Sequence, residues 1–123
     1  MNSSMLLTGC SLSNAQAVAK AATVYSESMK FYKCTGFASV LVIVTEDAAG
    51  ASMTITQQCS PNGNDWYDPV DSGNTALGPV VSAMTVGSRY VQYSPVLSSY
   101  LRFKIVEGNV NAGTITIRLF SQE

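Results

Sequence analysis

The side chains that could do chemistry in this 123-residue chain are concentrated in one polar segment, residues 60–74. Three carboxylates, Asp65, Asp68 and Asp71, lie there among asparagine and serine side chains, and oxygen ligands of this kind bind Ca²⁺. The spacing lacks the acidic twelfth ligand of an EF-hand loop. These three residues are therefore weak calcium candidates, and we expect no resident metal ion.

A second interpretation of the same segment is turn chemistry. Residues 61–64 read Pro-Asn-Gly-Asn, which is typical of a tight hairpin turn with positive φ at Asn62 and Gly63. The Asp side chains would then accept hydrogen bonds from neighbouring backbone amides. We favour this interpretation over a metal site.

Two adjoining aromatic residues, Trp66 and Tyr67, follow the turn and would point to alternate faces of a strand. An exposed ring beside Asp and Asn is typical of a sugar-binding surface, by stacking and hydrogen bonding. We favour a core position for Trp66, the chain's one Trp, and keep Trp66 and Tyr67 as an alternative ligand site. Three further tyrosines are predicted to serve sheet and interface packing: Tyr90, Tyr93 and Tyr100.

Catalysis is not expected. The chain has no His, which excludes Ser-His-Asp and Cys-His nucleophile systems and the HExxH zinc site. The carboxylate pairs Asp65/Asp68 and Glu46/Asp47 fall on predicted turns, in a domain too small to bury a catalytic acid. We therefore expect a protein that is not an enzyme, with no catalytic residues, no cofactor and no small-molecule substrate.

The charge content is low. The chain has seven Lys and Arg residues and eight Asp and Glu residues, which gives a net charge of −1. Charged residues make up only 12% of the chain, compared with about 25% in ordinary soluble domains. No basic block supplies the footprint of a nucleic-acid or anionic-membrane partner. Neutral hydroxyl and amide groups must therefore cover the surface.

The three cysteines are Cys10, Cys34 and Cys59. Their long spacings fit neither a CxxC metal knuckle nor a dense disulfide framework. We expect reduced, mostly buried thiols, and a single disulfide within or between chains remains open.

The first 19 residues carry no charge, and we interpret residues 1–22 as an N-terminal arm, either extended or a short helix capped by Ser13. We expect it to lie against another subunit or against the edge of its own sheet. Residues 7–10 look like a lipoprotein cleavage box, but no Lys or Arg precedes Cys10 and the apolar run is short. A signal peptide is therefore not expected.

From residue 23 onward, short runs rich in Val, Ile, Thr, Tyr and Phe alternate with Gly, Pro, Asn and Asp clusters. This pattern predicts an all-β fold, a single antiparallel β-sandwich of jelly-roll or Ig-like type with about seven or eight strands over residues 23–123. The predicted strands are 23–28, 30–34, 39–45, 52–60, 65–67, 85–94, 100–107 and 113–120.

Alternation along these strands indicates which faces are buried. Residues 39–45 are apolar on both faces, so we expect that strand to be covered on both sides. The last two long strands place polar side chains opposite apolar ones. Their outward residues, predicted to form an outer sheet face that meets a partner, are Arg102, Lys104, Thr116 and Arg118.

Residues 36–44, 53–67 and 99–103 together resemble small tailed-bacteriophage virion proteins of β-sandwich fold, a group that includes capsid decoration or cement proteins and head-fibre proteins. In that group the elements follow the order of a strand, an SPDG-like turn, the dipeptide Asn-Trp, an Asp-rich loop and a strand with the motif YxR. Here the turn is Pro-Asn-Gly, and Asp65 intervenes before Trp66; both changes keep the turn chemistry.

The resemblance implies a non-enzymatic virion structural protein, a decoration or cement protein that stabilises the shell of the major capsid protein. It would be made in the host cytoplasm, reside on the capsid surface, and contact the major capsid protein and copies of itself in a homo-oligomer. Low charge favours such neutral contacts. The expected partner-binding residues are those of the outer sheet face together with the arm residues Met5, Leu6, Leu7, Leu12 and Val18.

If the arm contacts the capsid, deleting residues 1–19 should weaken capsid binding and leave the sandwich folded.

The alternative function is a tail, fibre or carbohydrate-binding recognition module that uses the Trp66/Tyr67 loop.

Overall fold

The computed structural model describes residues 7–30, 38–45, 51–96 and 98–122. This part of the chain is all-β, as predicted, and contains no helix; hence no helix in it is long and apolar enough to cross a membrane. Its nine strands are β1 (Leu7–Val18), β2 (Thr23–Tyr25), β3 (Met29–Lys30), β4 (Ala38–Thr45), β5 (Met53–Ser60), β6 (Val81–Met84), β7 (Gly87–Tyr93), β8 (Tyr100–Glu107) and β9 (Gly113–Gln122).

The strands form two antiparallel sheets that pack as a sandwich. The first sheet has the order β1-β9-β4-β7, and the second has the order β2-β8-β5-β6, with β3 also paired to β8. In the first sheet β4 is central, between β9 and β7. In the second sheet β8 is central, between β5 and the short strands β2 and β3. The β-sandwich prediction is confirmed.

The core lies between the sheets and follows the two-residue period of the strands. Alternate residues of β4 and β8 point inward and are fully buried, and Phe103 is the largest of the fully buried side chains. Because successive strand side chains face opposite sides, one run of residues supplies both the core and an outer face. The core side chains of these two strands and of β9 are Val40, Val42, Val44, Leu101, Phe103, Ile105, Ile115, Ile117 and Leu119.

Residues 7–18, which we predicted as part of an arm, form β1 at the edge of the first sheet. The strand pairs with β9 from Leu7↔Gln122 to Val18↔Gly113, so it is extended and lies on its own sheet, one of the two placements we expected. Leu12 and Val18 are 2% and 1% exposed. Their assignment as partner-binding residues is wrong, because they pack into the core of their own sandwich.

The burial of the other three predicted arm residues, Met5, Leu6 and Leu7, is not described. Met5 and Leu6 lie outside the described residues, and only the backbone of Leu7 is described, as the first residue of β1. The pairing of β1 with β9 and the burial of Leu12 and Val18 bear on the proposed deletion of residues 1–19, which we now expect to destabilise the sandwich. That deletion removes an edge strand and two core side chains.

Two predictions about strands need correction. The short strand β6 was missed because it is only four residues long and one of them, Ala83, has a positive φ of 48°. The two faces of β4 differ, because Leu41 and Ile43 on its outer side are only half-buried and no sheet formed by the described residues packs over them. Residues 31–34 of the predicted strand 30–34 lie outside the described residues.

Glu107, the last residue of β8, joins three separate segments of the chain. Its side chain is 2% exposed, and its carboxylate accepts hydrogen bonds from the backbone N–H groups of Ala21, Ser52, Val110 and Asn111. Burial raises the pKa of this carboxyl, but the four backbone donors outweigh burial and lower the pKa from 4.5 to about 2. The ionised carboxylate thus fixes one end of the sandwich.

Candidate binding surfaces

An aromatic–arginine cluster, consisting of Tyr25, Arg102 and Trp66, lies on the outer face of the second sheet. The guanidinium carbon of Arg102 lies 4.0 Å from the ring centroid of Tyr25 and 4.4 Å from that of Trp66. The strand β2 brings Tyr25 beside β8. The guanidinium therefore makes cation–π contacts with two rings at once.

A chain of polar contacts continues from the cluster. The Nε of Arg102 donates to Oε1 of Gln58 at 2.9 Å, and Nε2 of Gln58 donates to Oδ1 of Asp68 at 2.8 Å. The second oxygen of Asp68 lies 4.0 Å from Nζ of Lys104. Gln58 is only 7% exposed, so its amide is held in one orientation. Arg102 and Lys104, predicted to meet a partner, thus both have partners within the chain.

The Trp66/Tyr67 loop is attached to β5 by its backbone. Cys59 and Tyr67 exchange two N–H to carbonyl hydrogen bonds of 3.0 and 2.9 Å, which form an isolated bridge at the end of β5. Trp66 is half-buried on the outer face and is not part of the core, so our preferred placement of it was wrong. The ring of Tyr67 is 59% exposed.

The three Asp residues of this segment have separate partners. Oδ2 of Asp65 accepts from the side chain of Asn62, whereas Oδ1 of Asp71 accepts from the backbone N–H groups of residues 73 and 75. Among the described residues no three metal-ligating side chains converge. The Asp and Asn side chains act in turns, although Gly63, with φ +83°, is the only one of the two central turn residues with a positive φ.

The second surface, which we call the first-sheet face, is the outer face of the first sheet. Leu41 lies at its centre, opposite Tyr90 on β7 and Arg118 on β9. The rings of Tyr90 and Phe120 approach across β4, with centroids 6.0 Å apart. Tyr90 is 59% exposed. An apolar and aromatic centre is thus left facing outward.

The rim of the first-sheet face is almost uncharged. Apart from Ala17, its other described side chains are hydroxyls and amides, and Arg118, opposite the central Leu41, is the one charged side chain that the strands of this face direct outward in the described residues. The Oγ1 of Thr116 accepts from the backbone N–H of Ala15 at 3.0 Å. The residues predicted as one outer sheet face therefore divide between two opposite faces, with Arg102 and Lys104 on one and Thr116 and Arg118 on the other. The rim side chains are Ser39, Thr45, Ser88, Gln92, Thr114 and Thr116.

Cys59 is a free thiol and is half-buried. Burial raises the pKa of this thiol, while hydrogen bonds from Gln57 and Ser98 oppose the effect. The neutral thiol is the form that results near neutral pH. The side chain of Cys10 and the whole of Cys34 lie outside the described residues.

Comparisons with known proteins give similarity of fold only. No protein-family model matches the sequence, and no curated protein matches it. The CBM22-1 xylan-binding domain of Paenibacillus barcinonensis Xyn10C is similar to this chain at a TM-score of 0.49 and 12% identity, over 93% of this chain and 94% of that domain. A chain of infectious bursal disease virus, Gx strain, gives a TM-score of 0.49 and 10% identity, over 95% of this chain but 32% of the viral chain. At these values neither similarity carries an argument about function.

Proposed function

We propose that this protein is a non-enzymatic virion structural protein, a capsid decoration or cement protein that binds the shell of the major capsid protein. The observation that carries the proposal is the first-sheet face. It combines the exposed ring of Tyr90 and the half-buried side chains of Leu41, Ile43 and Phe120 with a rim of neutral hydroxyl and amide groups. Interface centres are depleted in charge and enriched in aromatic residues.

The size of the first-sheet face favours repeated attachment over one strong contact. Four strands about 4.8 Å apart and seven residues of about 3.3 Å each give roughly 19 by 23 Å, or about 440 Å². A stable interface uses about 800 Å² on each partner. A single copy thus offers about half of a standard interface. Many copies on a symmetric shell, contacting one another as well, would add their weak contacts.

The proposal is tested by co-expressing the chain with the major capsid protein of the same genome and sedimenting the assembled shells. The wild-type chain should sediment with the shells, and Tyr90→Glu should reduce the bound amount more than tenfold, because it places a charge at the centre of an apolar contact. Tyr67→Glu is the matched control, since Tyr67 is also 59% exposed but lies in the loop attached to β5. Equal loss with both variants, or no binding of the wild type, would contradict the proposal.

Glycan recognition by the Trp66/Tyr67 loop is the second candidate function. The observation that favours it is the exposed ring of Tyr67, whose backbone is fixed by two hydrogen bonds to Cys59. Binding to a glycan array that is lost in Tyr67→Ala and kept in Tyr90→Ala would support this function. The reverse pattern in shell sedimentation would count against it.

A further inference from the structure

An open groove lies where β1 of the first sheet faces β2 of the second sheet. It encloses about 330 Å³ and is lined by Leu12, Ser13, Asn14, Gln16, Tyr25 and Glu27. Small-molecule sites have volumes of roughly 300–1,000 Å³. The groove is on neither the first-sheet face nor the Trp66/Tyr67 loop, although its Tyr25 also belongs to the aromatic–arginine cluster.

An irregularity in β1 shapes the wall of this groove. The pairing of β1 with β9 shifts between Ser11 and Ser13 and again between Ser13 and Gln16. In this stretch Ala15 has a positive φ of 48°, and its N–H donates to the side chain of Thr116. Bulges redirect side chains and are frequent beside binding sites, as are non-glycine residues in left-handed backbone. Here the bulged stretch places three polar residues, Ser13, Asn14 and Gln16, in the lining of the groove.

Two polar side chains of the groove are held in place before any ligand arrives. The hydroxyl of Ser13 donates to Oε1 of Gln16 at 2.7 Å, and Nε2 of Gln16 donates to the carbonyl oxygen of Tyr25 at 2.9 Å. Asn14 and Glu27 are exposed, and their side chains make no hydrogen bond within the described part of the chain. The groove thus has a fixed wall and two groups free to bind a ligand.

The chemistry of the lining selects a class of ligand. Tyr25 is 42% exposed, and Arg102 holds its ring by the contact of 4.0 Å. The lining residues are one tyrosine, two amides, a serine and the carboxylate-bearing Glu27; none of them is Lys or Arg, although Arg102 lies 4.0 Å from the ring centroid of Tyr25. An aromatic ring takes up the C–H face of a sugar, and amides and a carboxylate accept hydrogen bonds from its hydroxyls. We propose that this groove binds a neutral sugar ring.

The test is a titration of the isotope-labelled full-length chain, followed by amide chemical shifts. The probes are glucose, galactose, mannose and N-acetylglucosamine, each with its 6-phosphate as the anionic counterpart. At least one neutral sugar should shift the amides of residues 12–16 and 25–27, and its phosphate should bind more weakly because it approaches the Glu27 carboxylate. Glu27→Gln should weaken binding of the neutral sugar about tenfold, as expected for one hydrogen bond to a charged group.

Matched variants decide the location. Tyr67→Ala and Tyr90→Ala should leave the affinity unchanged, and an unaltered amide spectrum of Glu27→Gln shows that the sandwich is intact. The proposal is overturned if no sugar shifts the groove amides at 50 mM (about the weakest affinity worth assigning to a site). It is equally overturned if Glu27→Gln binds the neutral sugar as tightly as the wild type, or if binding is lost in Tyr67→Ala, which would place the sugar on the loop.

Discussion

Replacing Arg102 by Lys should destabilise the fold although the charge is kept. The guanidinium contacts two rings at 4.0 and 4.4 Å, and each such contact contributes about 0.5–1 kcal/mol at a partly exposed site. The lost hydrogen bond to the nearly buried Gln58 adds about 0.5–1.5 kcal/mol. Because Lys keeps part of one ring contact, the free energy of unfolding should fall by about 1–3 kcal/mol.

Chemical denaturation measured by Trp66 fluorescence, together with calorimetry, gives this difference. A domain of this length has an unfolding entropy for which 1 kcal/mol corresponds to about 4 °C, so Tm should fall by roughly 4–12 °C. Arg118→Lys is the matched control, because Arg118 is exposed and lies 5.6 Å from the Phe120 centroid; it should cost less than about 0.5 kcal/mol. Equal losses for the two arginines would refute the reasoning.

A double-mutant cycle separates the contact itself from other effects of the substitution. Arg102→Lys, Trp66→Leu and the double variant should give a coupling free energy of about 0.5–1 kcal/mol. A coupling of zero, with both single variants destabilised, would show that the two side chains contribute independently and that the stacked geometry is irrelevant.

Three further predictions concern the frame that holds these surfaces. Phe103→Ala should lower the free energy of unfolding by about 3–5 kcal/mol in urea denaturation, because it empties a fully buried position; a loss under 1 kcal/mol would contradict the core assignment. Gly78→Ala should stabilise the fold by about 0.4–1 kcal/mol, because the added Cβ meets nothing within 4 Å. Gly113→Ala should destabilise it by about 1–3 kcal/mol, because the added Cβ would lie 2.8 Å from the carbonyl oxygen of Thr45. Calorimetry must show a higher Tm for the first variant and a lower Tm for the second. The pKa of Glu107 is lowered from 4.5 to about 2, so its contribution to the free energy of unfolding is complete above about pH 5 and is lost as the pH falls towards 2. Glu107→Gln should therefore be less stable than the wild type at pH 7, and its free energy of unfolding should fall less steeply between pH 5 and 2. An equally steep fall in the variant would argue against the role of the carboxylate.

The sandwich could be predicted because burial imposes the same two-residue period on every long strand. In β8 and β9 apolar residues alternate with polar ones, and this alternation alone identifies which side chains form the core. In β4 the pattern was less informative. A strand with apolar residues on both faces is predicted to be buried on both faces. In the structure, however, Leu41 and Ile43 lie on the outer face of the first sheet and are only half-buried.

The candidate surfaces depend on contacts between distant residues, which periodicity does not specify. Arg102 was identified as an outward residue, but its position between Tyr25 and Trp66 requires β2, β8 and the loop after β5 to meet. The groove was not foreseen because it depends on the bulge at Ala15, and an alanine carries no turn signal. The role of Glu107 was also missed. Its four donors are backbone groups, whose positions no side-chain pattern encodes.

The pairing of β1 with β9 has a consequence for the order of folding. Ala15 and Thr116, joined across these two strands, are 101 residues apart in sequence. A contact of such separation closes a long loop, and closing long loops is the slow part of folding β-sandwiches. During synthesis Leu12 and Val18 emerge first, yet β9 must leave the ribosome before their strand can pair. Until then β1, including the apolar side chains of Leu12 and Val18, has no partner strand, and we expect truncated or stalled chains to aggregate through that segment.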